Sequence, residues 1–166
     1  MSLTSCSSSK ELIAENREQQ RTDSIANSVA IRMIQNKVFM FTADQIYGSR
    51  GRQAHVTSNT NFISVKGNQA TIQIAPGIVA GPNGVGGVTF KGSVSAYRVD
   101  TKKNGDTVVK FQFSSNFGSG DVILTLYKRS LRASAFINST FYRGKAQMLG
   151  TIEAPGSSRI IEGYAR

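Results

Sequence analysis

One cysteine (Cys6), one histidine (His55) and no tryptophan leave this 166-residue chain short of the side chains that most chemistry uses. A lone thiol forms no intrachain disulfide, so cysteine pairing says nothing about an oxidising compartment. One imidazole and one thiol, far apart in sequence, do not make an ordinary zinc site. A Ser-His-Asp set would have to use His55, within Arg52-Gln53-Ala54-His55-Val56-Thr57, and no nucleophile elbow selects a serine to go with it. A lone histidine in a strand-like context reads as surface or hydrogen-bonded filler. Long apolar runs are missing too: none approaches the ~18 residues of a spanning helix. These absences make an enzyme the least favoured class and call for neither cofactor nor metal.

Acids are also scarce: 20 Lys+Arg stand against 10 Asp+Glu, a formal net charge of +10. Between Arg50 and Lys145 the only acids are Asp100, Asp106 and Asp121, so the positive excess belongs to the folded part of the chain. A basic surface attracts polyanions without choosing among phospholipid headgroups, acidic glycans and nucleic acid. Outward lysines and arginines also keep β-proteins soluble and guard their edges. Asp100 and Asp106 flank Lys102-Lys103-Asn104-Gly105, which places them around a hairpin turn and not in a glycosidase cleft.

What is present begins at the N-terminus. Leu3-Thr4-Ser5-Cys6 followed by serines resembles a bacterial lipoprotein processing site. The resemblance implies that the Cys6 thiol carries a diacylglyceryl group and that Cys6 becomes the mature N-terminus, held to a membrane by several acyl chains. Such a signal needs a basic start and an apolar stretch of roughly 7–15 residues before the cysteine, and only Met1 to Ser5 precede it here. The reading therefore expects that stretch upstream of the present Met1. The alternative is a free thiol in a polar tail.

Residues 1–22 read as this stub plus a polar, mixed-charge tether, and residues 23–166 as one domain large enough for its own core. A helix is expected from Thr22 or Asp23, capped by Asp23, with Ile25, Val29, Met33 and Ile34 forming the buried stripe. After Asn36 the apolar period becomes two. Strands are predicted at Val38–Thr42, Arg52–Thr57, Phe62–Val65, Ala70–Ile74, Val88–Phe90, Val94–Val99, Thr107–Phe113, Val122–Tyr127, Leu131–Ile137 and Gly144–Ile152. Gly67-Asn68, Asn104-Gly105 and Gly118-Ser119-Gly120 mark turns. The predicted fold is mainly β with one N-terminal helix, an antiparallel meander forming a barrel, with a lipocalin-like curl, or a two-sheet sandwich.

The glycine-rich stretch Ala75 to Gly87 lacks the glycine-lysine-hydroxyl ending of a phosphate-binding loop and reads as a structural loop more than a ligand lid. Lys110-Phe111-Gln112-Phe113 faintly echoes a nucleic-acid stacking platform, but period-two aromatics more often face a core. Solvent-facing Phe111 and Phe113 would be needed for that reading.

With this order of elements in view, Phe39-Met40-Phe41-Thr42-Ala43-Asp44, Gly51-Arg52, Val56-Thr57-Ser58-Asn59, Phe62-Ile63-Ser64-Val65-Lys66-Gly67-Asn68, Ile74-Ala75-Pro76-Gly77 and Gly86-Gly87-Val88-Thr89-Phe90 together resemble the domain of unknown function 4251 family of Bacteroides-type lipoproteins. The resemblance runs from about Asn36 to Ile152 and includes the cysteine stub. It implies a small β-rich protein behind a lipid anchor in the envelope of a two-membrane bacterium, facing the periplasm or the cell surface. It implies no activity.

Two functions follow. One is a non-catalytic, lipid-anchored module binding an acidic lipid, a glycan or an envelope protein, with Arg50, Arg52, Arg129, Arg132 and Arg143 as candidate ligand arginines because guanidinium forks suit phosphate and carboxylate oxygens. The other is an assembly factor with no small ligand. An apolar cavity opening near basic residues would mark the first as a carrier, whereas a filled interior with an exposed patch would mark the second. Nucleic acid is the least expected partner.

Overall fold

The computed structural model describes residues 7–47, 53–75, 87–140 and 144–165. A long helix, α1 (Ser7–Gln35), leads into nine strands: β1 (Val38–Tyr47), β2 (Gln53–His55), β3 (Phe62–Lys66), β4 (Gln69–Ile74), β5 (Val88–Thr101), β6 (Thr107–Ser115), β7 (Gly118–Leu126), β8 (Arg132–Ser139) and β9 (Gly144–Glu153). All pairings are antiparallel, and β1 bonds both β3 and β9, so eight strands close a barrel while the three-residue β2 extends the free edge of β1. Of the two predicted β architectures, the barrel is the one formed.

Alternation fills it. Val109, Phe111 and Phe113 of β6, Val122, Leu124 and Leu126 of β7, and Ala133, Ala135 and Ile137 of β8 are buried, while Lys110, Gln112 and Asp121 between them face water. Phe111 and Phe113 therefore belong to the core, which removes the stacking platform. Large and small side chains interlock across the interior. Phe39, Val65, Ala70 and Gly92 lie in register across β1, β3, β4 and β5, and a Cβ on Gly92 would come within 2.9 Å of the Phe113 ring and 2.1 Å of the Ser114 carbonyl oxygen.

The helix differs from expectation in its start and in its face. No glycine or proline occurs before Gly48 and the residues from Lys10 to Arg21 are mostly good helix formers, so α1 begins at Ser7. Asp23 is thus an interior residue, accepting a 2.8 Å bond from the Gln19 amide, and caps nothing. The buried stripe is Asn27, Ala30 and Ile34; Ile25 and Val29 are exposed. Asn27 decides the rotation. Its amide donates to the carbonyls of Tyr127 (3.0 Å) and Ser130 (2.7 Å) in the β7–β8 turn, pinning the helix across one end of the barrel. Lys37, in the left-handed region at φ 56°, ends the helix, and its carbonyl accepts the Gly67 N–H of the β3–β4 turn.

Three strands depart furthest from the predicted bounds, for one reason each. β1 runs on to Tyr47 because a bulge between Ala43 and Gln45 keeps it paired to β9. Val88–Phe90 and Val94–Val99 are one strand, since Gly92 is packing space and not a turn. Gly118 opens β7 instead of a turn, which lies at Asn116 and Phe117.

Candidate functional site

The barrel has no room for an enclosed ligand where its core is described: Phe39, Phe41, Phe113, Ile63, Ile72, Leu124, Ile137 and Met148 all converge there with under 2 % of their surface exposed. Binding surfaces have to be sought outside, and the barrel wall is not uniform there.

On one side, β1, β3 and β4 are buried on both faces. Residues 154–165 return across their outer surface: Ile161 donates to the Asn59 carbonyl at 2.8 Å, and Glu162 pairs with Lys91. The anchor is Gln73, fully buried on the outer row Thr42, Phe62, Gln73, Thr89. Its amide nitrogen donates to the carbonyls of Thr60 (2.9 Å) and Ile161 (2.8 Å), and its oxygen accepts from the Thr89 hydroxyl (2.7 Å) and the Gly163 N–H (2.8 Å). Every hydrogen-bonding position of that side chain is used. Beside this strap a groove of about 510 Å³ is lined by Met40, Phe62, Lys66, Thr71, Lys91 and Glu162 among others. It is polar and basic on one wall, but the strap's own Glu162 already answers Lys91.

The candidate arginines separate. Arg50, Arg52 and Arg143, like Cys6, lie outside the described residues. Arg132 is engaged within the fold: both its terminal nitrogens meet both carboxylate oxygens of Asp44, the residue at the β1 bulge, and this pairing raises the guanidinium pKa above its ordinary value. Its fork is therefore taken up by Asp44. Arg129 is exposed in the β7–β8 turn at φ 55°, beside the N-terminal half of α1. His55 is exposed on β2, and no cluster of three or more His, Cys, Asp or Glu able to hold a metal occurs among the described residues. Asp106 decorates the β5–β6 turn, accepting from the Lys128 N–H (2.9 Å) and the Asn104 amide (2.7 Å).

Sequence reasoning missed the strap and Gln73. A glutamine at an outward-facing strand position looks solvent-exposed, and nothing local shows that chain from 88 and 90 residues further on will cover it.

A family model described as Domain of unknown function (DUF4251) matches residues 21–152. The chain belongs to the DUF4251 family. It is similar to the crystal structure of a DUF4251 family protein from Bacteroides eggerthii DSM 20697, at 31% identity and a TM-score of 0.71, over 84% of this chain and 94% of that one. No curated protein matches it. The resemblance read from the motifs between Asn36 and Ile152 thus holds as DUF4251 membership, and the family carries no assigned activity.

Proposed function

We propose that this protein is a lipid-anchored, non-catalytic module of the bacterial cell envelope that binds an acidic partner on the outside of its barrel. The interior, filled where it is described, carries the reading, because among the described residues it leaves the outer wall and the helix as the surfaces available to a partner. A net charge of +10, with three acids between Arg50 and Lys145, supplies attraction for anionic lipid, glycan or protein surfaces. The lipoprotein-like Leu3-Thr4-Ser5-Cys6 supports the anchor, with Cys6 acylated. The scarcity of histidine, cysteine and acidic groups supports a non-catalytic role.

The filled interior counts against a carrier with an enclosed ligand and is the mark set for an assembly function without a small ligand, which would use the same outer surface. Cross-linking the anchored protein in intact envelopes tests the shared reading: capture of an acidic envelope component, lost at high salt, is the expected result. Fatty-acid labelling that is equal in wild type and Cys6→Ser, with an upstream signal present, would remove the anchor.

A further inference from the structure

Arg17 and Arg21 stand one turn apart on α1, and Arg129 of the β7–β8 turn joins them in lining a groove of about 460 Å³ with Gln20 and Ser24. All three arginines are exposed, and neither ion pair among the described residues includes one of them. Like charges four residues apart on a helix repel. The arrangement is nevertheless held from both sides: Asn27 clamps α1 to the turn through Tyr127 and Ser130, and Arg129 adopts a left-handed backbone that side chains other than glycine seldom take. Neither Glu15 nor Glu18 forms an ion pair with these arginines. The two glutamates line a separate groove on another flank of the helix, with Leu12 and Thr22.

Three exposed arginines outside both ion pairs of the described residues, carried by two elements that Asn27 clamps together across 100 residues of sequence, offer the guanidinium donors that the oxygens of a tetrahedral anion accept. We propose that this groove binds a phosphate group, carried either by a lipid headgroup or by a soluble phosphoryl compound. The inference rests on the outer-surface reading above and gives it a site and a ligand chemistry. Ile25 and Val29, 67% and 48% exposed, continue the ridge of Arg17 and Arg21 along the helix. On a bilayer these aliphatics would enter the interface below the headgroups, whereas a soluble phosphoryl compound would leave them idle.

The test uses the full chain with Cys6→Ser, so that no acyl chain contributes. Two probes are titrated near physiological salt: vesicles of phosphatidylglycerol in phosphatidylcholine, by flotation, and pyrophosphate, by NMR shifts. Arg17→Gln/Arg21→Gln/Arg129→Gln is compared with Lys102→Gln/Lys103→Gln/Lys145→Gln, which removes the same charge elsewhere. The expected result is binding of at least one probe, weakened about fivefold per groove arginine and far less by the lysine variant. A lipid source predicts that Ile25→Ser/Val29→Ser weakens vesicle binding; a soluble source predicts pyrophosphate binding that this variant leaves unchanged. Equal losses in the two triple variants, or none in either, overturn the site while leaving a charge-driven outer surface intact. Failure of the wild type to bind either probe overturns the phosphate inference, and the cross-linking experiment then decides the broader reading.

Discussion

The phenol of Tyr97 donates a 2.6 Å hydrogen bond to the carbonyl of Ile34, joining β5 to the last turn of α1. The bulge between Ser95 and Arg98, with Ala96 at φ 50°, turns this tyrosine inward, where its ring stacks on Phe111 at 5.9 Å and lies 5.1 Å beneath the Lys37 ammonium. A left-handed alanine is uncommon, and here it sets the docking of the helix. Tyr97→Phe keeps the stacking and loses the bond, so a loss of about 1 kcal/mol in denaturant unfolding is expected.

Burial raises the Tyr97 pKa above the ordinary phenol value. The folded state therefore binds this proton more tightly than the unfolded chain does. The stability it contributes is full below the ordinary phenol pKa and falls as pH rises beyond it. Alkaline unfolding curves of Tyr97→Phe should be flatter than those of wild type above about pH 10.

On the acid side, Asp106 is held below the ordinary carboxylate range, chiefly by the Lys128 N–H; burial, the next largest effect, opposes this, and Asn104 and the charges of Lys102 and Lys128 add to the lowering. Its contribution is present above the ordinary carboxylate pKa and is lost as pH falls through the lowered one. Asp106→Asn should flatten the acid limb of the stability curve, measured between about pH 5 and pH 2.

Asn27→Ala removes both bonds to the β7–β8 turn and leaves two carbonyls without those donors. A destabilisation of about 2 kcal/mol is expected, or roughly 4–8 °C in Tm for a chain of this size. Hydrogen exchange should quicken along α1 before it quickens in the barrel.

Gln73→Ala removes four hydrogen bonds at once, two of them to the strap. Residues 154–165 should then exchange hydrogen rapidly and become open to proteolysis while β6 to β8 stay protected, with about 2–3 kcal/mol lost overall. Uniform protection in wild type and variant would contradict the assigned role of the amide.

Barrel closure has its own point of failure. A Cβ on Gly150 would lie 1.9 Å from the Thr42 carbonyl oxygen and 2.8 Å from the Ala43 Cα, so Gly150→Ala has to push β9 away from β1. About 3 kcal/mol of destabilisation is expected, read by thermal unfolding.

Features with local causes were legible in the sequence. Asn104-Gly105 announced its hairpin because its residues make the turn themselves, and the period-two aromatics Phe111 and Phe113 gave the core face of β6 correctly. Closure of β1 on β9 was not legible, since it joins residues more than 100 apart, such as Phe41 and Ile152. Neither was the true face of α1. Apolar spacing favoured Ile25 and Val29, but a polar residue, Asn27, fixed the rotation through carbonyls in a distant turn. The same long-range contact hid the arginine groove: Arg17 and Arg21 looked like part of a tether until the β7–β8 turn brought Arg129 to them.

Native mass spectrometry of the anchored protein, released from its own membranes into rising ammonium acetate, tests outer-surface binding most directly. An acidic mass that dissociates with salt while the protein stays folded is the predicted result. A stoichiometric ligand that survives high salt and leaves only on denaturation would place binding inside the barrel and contradict the account.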